Sequence, residues 1–160
     1  MQTFLILKQH WTTLNSHHVL QNILRTHMGS QWQMERHQLV AKRHADMMRL
    51  VYTSSMKGAT IFGEPSAFNT VNEINYLAFA RFGYDSNITW ENFVAHDLGA
   101  ILGGAEAAQQ YLTLLAIENS AEKLKQAIGI ARELSHVLSG NVYRRWVWLQ
   151  HYLFQKIESI

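Results

Sequence analysis

Ala59-Thr60-Ile61-Phe62-Gly63-Glu64-Pro65-Ser66-Ala67-Phe68-Asn69-Thr70-Val71-Asn72-Glu73-Ile74-Asn75-Tyr76-Leu77-Ala78-Phe79-Ala80-Arg81-Phe82 is the stretch on which the fold turns. Its first five residues are a short β-favouring run ending in glycine, which predicts a strand over 59–63. Residues 65–69 read as a loop. Thr70-Val71-Asn72-Glu73 has the form of a capping box: the threonine oxygen accepts from the third amide and the glutamate reaches back. A helix is predicted from there to about Arg81, with Gly83 closing it. Glu64 is therefore a carboxylate directly after a strand and before a capped helix. In parallel α/β architectures that strand end is where ligands bind. Asn72, Asn75, Tyr76 and Phe79 share one face of the predicted helix, and amides beside an aromatic ring suit a sugar. The alternative is that Glu64 is a solvated loop residue and the asparagines are surface or capping groups.

Helical patterns lie on both sides. Upstream, 12–27 reads as helix, with Val19, Leu20, Ile23 and Leu24 as its apolar side. Along 31–54, Met34, His37, Ala41, His44, Met48 and Val51 recur at three- and four-residue steps, one face of a second helix. Lys57-Gly58 is the expected stop. Thr3-Phe4-Leu5-Ile6-Leu7 fits strand or helix. A buried strand at 59–63 needs a partner for its backbone groups, so either 3–7 pairs with it or the rest of its sheet lies elsewhere.

Downstream, Asp85-Ser86-Asn87 is turn chemistry. Thr89 is expected to cap a short helix to about Leu98, with Gly99 and Gly103-Gly104 as punctuation. Ala108, Tyr111, Leu112 and Leu115 mark a face over 105–117. Asn119-Ser120-Ala121-Glu122 reads as a second capping box. The helix after it is expected to bury Leu124, Ala127, Ile128, Ala131, Leu134 and Leu138, and to stop at Gly140. Val142, Trp146, Leu149, Leu153 and Ile157 form a stripe over 141–157. The short connection at Gly140 predicts that the last two helices pack antiparallel.

Composition narrows the function classes. The 160 residues are 48% apolar and contain one proline, which points to one mostly helical domain. A complete (β/α)₈ barrel, at ~200 residues or more, does not fit. The absence of cysteine excludes disulfides, thiolate metal sites and a cysteine nucleophile. A net charge of +2 gives no nucleic-acid footprint. No apolar run approaches the ~20 residues of a membrane span, and Lys8 interrupts the one stretch that could resemble a signal peptide. Charged residues are only 16% against 11% aromatics, as for a surface that is partly an interface.

The run Gly63-Glu64-x-Ser66, then Asn72-Glu73-Ile74-Asn75-Tyr76-Leu77-Ala78-Phe79-x-x-Phe82, Thr89-Trp90-Glu91-Asn92-Phe93 and Leu102-Gly103-Gly104-Ala105-Glu106-Ala107-Ala108, resembles the C-terminal part of large bacterial glycoside-hydrolase-like proteins. The likeness covers roughly residues 35–115. It implies the last βα unit of a (β/α)₈ barrel followed by a helical extension, with 59–63 as the final barrel strand and Glu64 facing a substrate cleft. Pro65 stands where a branched apolar residue is expected. Glycoside hydrolysis ordinarily uses two carboxylates, ~5–9 Å apart. The chain offers one at a strand end, because the capping box is expected to use Glu73 and because Glu35 and Asp46 lie on the preceding helix. A second carboxylate would come from the missing barrel portion, and the chain alone is expected to be inactive.

Other chemistries have weaker support. His37 and His44 are seven residues apart, two helical turns or ~10.5 Å of rise, too far for one ion. There is no His-Glu-x-x-His, nucleophile elbow or phosphate-binding glycine loop. Along 142–154, Trp146 suits a bundle core, Tyr143, Trp148 and Tyr152 suit a buried bundle face, a neighbouring domain, sugar stacking or a membrane surface, and Arg144-Arg145 suits a phosphate.

The expected architecture is a mainly α helical array or bundle with at most one or two short strands, or an incomplete α/β-barrel end. A poorly defined segment, 1–30, precedes a helical domain, 31–160. The expected function is that of a partial carbohydrate-active protein, with Glu64 as catalytic candidate and Asn72, Asn75 and Tyr76 as substrate-binding candidates. No metal or cofactor is expected. The expected partners are carbohydrate and either the missing barrel portion or a second copy, with no nucleic acid and no membrane span. The competing reading is a non-enzymatic helical interaction module. A helical metalloenzyme rests only on the number of histidines, nine.

Overall fold

A computed structural model of the protein describes residues 23–27, 38–54, 56–62 and 69–160. The order is β1 (Ile23–His27), α1 (Ala41–Thr53), β2 (Gly58–Phe62), α2 (Thr70–Tyr84), α3 (90–102), α4 (Ala105–Leu115), α5 (Ala121–Ser135) and α6 (Gly140–Glu158). The described chain is mainly helical. Residues 12–22 of the first expected helix, and 3–7, lie outside the described residues.

The partner of β2 is β1. The two strands run parallel, from Ile23 opposite Gly58 to His27 opposite Phe62. Residues 23–27 were expected in a helix. A five-residue run with two β-branched members satisfies either period, and here the ladder to β2 decides. Parallel strands require a crossover, which α1 supplies.

α1 begins at Ala41, later than its sequence pattern suggests. The Val40 amide donates to Asn75 Oδ1 at 2.9 Å, and Asn75 Nδ2 donates to Gln38 O at 3.0 Å. That carboxamide holds the backbone just before the helix. α1 stops at Ser54 rather than at Gly58, because Ser54 Oγ donates to Val51 O and accepts from the Met56 amide. Gly58 opens β2 instead.

α2 starts one residue off the predicted box. Asn69 is its N-cap and accepts from the amides of Val71 and Asn72 at 3.0 and 3.2 Å. With the cap at 69, the third helical position is Asn72, and Glu73 is released from capping. Asn69→Ala should cost about 1 kcal/mol and Asn69→Asp should cost little, as read from urea unfolding. The helix passes through Gly83, where it was expected to close. Gly83 lies against Met48, and its carbonyl accepts from the Tyr52 hydroxyl at 2.7 Å.

The second expected capping box also fails by one residue. Ser120 is the N-cap of α5 and its side chain makes no capping bond. The third helical position is Lys123, which pairs with Glu118.

α3 consists of α-helical Trp90–Asn92, π-helical Phe93–Leu98 and α-helical Gly99–Leu102. Thr89 caps it as expected, its Oγ1 accepting from the Asn92 amide at 3.1 Å. Gly99 does not interrupt it. A Cβ there would come within 3.2 Å of the α4 entry at Gly104 and Ala105, so glycine permits the close approach. The turn itself falls at Gly103, with φ 104°.

α5 and α6 run antiparallel, as expected. Gln150 Nε2, midway along α6, donates to Ser135 Oγ at the end of α5, and Lys156 Nζ, near the end of α6, donates to Ile117 O just before α5 begins. Trp146, Leu149 and Leu153 are fully buried, as are Leu124, Ala127 and Ala131 opposite them. The inward position that follows Ala131 is Ser135, not Leu134, which is turned outward. Around α3, Phe82, Trp90 and Phe93 cluster with centroids 5.2–6.5 Å apart.

Candidate functional site

The carboxyl end of β2 and the first turns of α2 are the candidate site. Glu64, with the rest of 63–68, lies outside the described residues. Asn69, the first described residue after them, is the cap of α2.

Asn72 is 3% exposed, Asn75 is fully buried and Tyr76 is half-buried. The structure therefore places two of the three substrate-binding candidates inside the protein. Both polar ends of Asn75 are engaged with the backbone of 38–40, so its carboxamide acts as a clamp between α2 and the entry to α1. Tyr76 is the candidate that reaches the surface. Phe79 meets the buried ring of His44 edge-on, with centroids 5.9 Å apart. His37 lies outside the described residues. Among the described residues, no group of three or more His, Asp or Glu is placed to hold a metal ion, and no helix is long and apolar enough to cross a membrane.

The strongest polar cluster was not anticipated. Glu73, released from capping, receives Arg145 in a two-pronged ion pair. Arg145 Nε lies 2.8 Å from Oε2, and Nη2 contacts Oε1. Arg145 Nη1 also donates to Ile101 O at 3.2 Å. The Tyr111 hydroxyl donates to Arg145 O at 3.0 Å, and Trp146 Nε1 donates to Leu102 O at 2.8 Å. One turn of α6 thus reaches α2, α3 and α4.

The electrostatics follow from this packing. Burial pushes the Tyr111 phenol well above its ordinary range, against the opposing effect of its bond with Thr70. The hydrogen bond to Glu73 raises the guanidinium of Arg145, with burial opposing. The guanidinium of Arg145, read with Arg144 as suited to a phosphate, is engaged by Glu73 and by Ile101 O. The partners are 72 residues apart, and no local pattern joins them. The available signal was an arginine set among buried positions of an apolar stripe.

No protein-family model, no curated protein and no solved structure matches the chain.

Proposed function

We propose that the chain is a partial carbohydrate-active protein of glycoside-hydrolase-like descent. It binds sugar at the carboxyl end of β2 and does not hydrolyse it alone. The observation that carries this reading is the order β1–α1–β2–α2 with the strands parallel and in register, the arrangement of successive units in an α/β barrel. Among the described residues the sheet has two strands, whereas all-parallel sheets are ordinarily larger and covered on both faces. Glu64, two residues after β2 in sequence, and the half-buried ring of Tyr76 are the proposed ligand contacts, with buried Asn72 on the same helix and Asn75 positioning that helix. With one strand-end carboxylate, the two-carboxylate mechanism is incomplete.

Saturation-transfer NMR of the purified chain with cello-, chito- and malto-oligosaccharides tests this. Binding to one series is expected, weakened by about tenfold in Tyr76→Ala and in Glu64→Gln, with thermal unfolding unchanged. No transfer to any series, or equal transfer in both variants, would count against it.

The interaction-module reading is favoured by a different observation: Tyr143, Phe154 and Val137 are 45, 52 and 88% exposed near the α5–α6 pair. Light scattering that shows a monomer at all concentrations would argue against self-association through them.

A further inference from the structure

A second cleft lies at the opposite end of the β–α unit, at the amino end of β2. It has a volume of about 530 Å³ and is lined by the last turns of α1 (Met48, Val51, Tyr52), the start of β2 (Gly58, Ala59) and the later turns of α2 (Phe79, Ala80, Gly83), with Ser54, Met56 and Lys57 at the connection. Ligands of parallel α/β proteins bind at the carboxyl ends of strands, so this cleft is separate from the proposed sugar site.

Its exposed lining is mixed, with somewhat more apolar than polar surface. Two methionines, a valine, two alanines and two aromatic rings supply an adaptable apolar surface. The polar groups of its other side chains are engaged within the protein: the Tyr52 hydroxyl donates to Gly83 O, and Ser54 Oγ donates to Val51 O. Lys57 is the one charged lining residue, and it is exposed. Among the described residues its ammonium is in no ion pair, and no acidic residue lines the cleft. Gly58 adds room, since a Cβ there would meet nothing within 4 Å.

We infer that this cleft binds a single-chain amphiphile with an anionic head, its tail along Met48, Met56 and Phe79 and its carboxylate at Lys57. The inference is independent of the carbohydrate reading. An uncharged partner would leave the lysine unused, and a cation would be repelled by it.

Titration of [¹³C-methyl]methionine-labelled protein with dodecanoate tests the assignment, with dodecyltrimethylammonium as a tail of the same length and opposite charge. Dodecanoate is expected to shift the Met48 and Met56 methyl signals saturably below about 1 mM, and the cation to do so far more weakly. Lys57→Glu should weaken dodecanoate by about tenfold or more and improve the cation. Gly58→Phe should abolish both by filling the mouth. If that variant does not fold, Ala80→Trp, at an exposed position on α2, blocks the same space. Equal responses to the two amphiphiles, or dodecanoate binding unchanged in Lys57→Glu, would overturn the proposal and assign the groove to an uncharged apolar partner. No shift of either methyl signal by dodecanoate would also overturn it.

Discussion

Trp146→Ala should lower the stability of the chain by about 4 kcal/mol, the middle of the range for emptying a large aromatic site. The indole is fully buried on α6. It meets Tyr111 of α4 edge-on, with centroids 5.1 Å apart. Its N–H also satisfies Leu102 O, the last carbonyl position of α3. The substitution therefore opens a cavity where three helices meet and leaves a helix-end carbonyl without its donor. Trp146→Phe retains most of the volume and removes the donor, and should cost roughly 1–3 kcal/mol. Urea unfolding followed by circular dichroism measures both. A Trp146→Ala midpoint close to that of the native chain would show that α6 does not share a cooperative core with α3 and α4.

The second large effect is expected at the Glu73–Arg145 pair. The Arg145 side chain is 10% exposed and that of Glu73 is 36% exposed. Removing one partner of a buried pair strands the other charge and costs ~3–5 kcal/mol. Water reaches Glu73, so about 2–3 kcal/mol is expected for Arg145→Ala here. Arg145→Lys should recover only part of this, since an ammonium cannot make the two-pronged contact and also reach Ile101 O. Glu73→Met combined with Arg145→Met should be less destabilised than Arg145→Ala, because neither charge is left behind. A double variant as unstable as the sum of its singles would mean that the two residues act independently.

These two residues also show where sequence reading stops. Trp146 was legible: it recurs with Leu149 and Leu153 at helical spacing, and such a stripe must be buried. Arg145 was not, because its partner is set by how α6 crosses α2. Glu73 was read as a capping group, yet a one-residue displacement of the cap from Thr70 to Asn69 turns it from a local contact into a long-range one. Residues 69 and 70 both carry side chains that suit an N-cap, and the propensities that separate them are smaller than the packing energies that choose.

The strand pair makes the same distinction. Ala59, Thr60 and Ile61 announced a strand, and a lone strand announced a missing partner. That the partner is 23–27, in parallel, followed from no pattern within those five residues. A short run can satisfy both periods, and its backbone groups accept whichever ladder the fold offers. The Asn72–Asn75–Tyr76 face was placed on a helix as expected, but the spacing of its amides did not reveal that Asn75 would clamp residues 38–40.

What the sequence determined by itself is the mainly helical class, the Thr89 cap, the α5–α6 hairpin and most of the buried stripe. Each depends on neighbours within about two helical turns, where periodicity and capping chemistry act directly. The tertiary structure alone decided the partner of β2, the register of both caps, the passage of α2 through Gly83 and of α3 through Gly99, and the ion pair that joins α2 to α6. In each of these cases the local alternatives differ by about 1 kcal/mol or less, and the burial and pairing of distant groups contribute more than that.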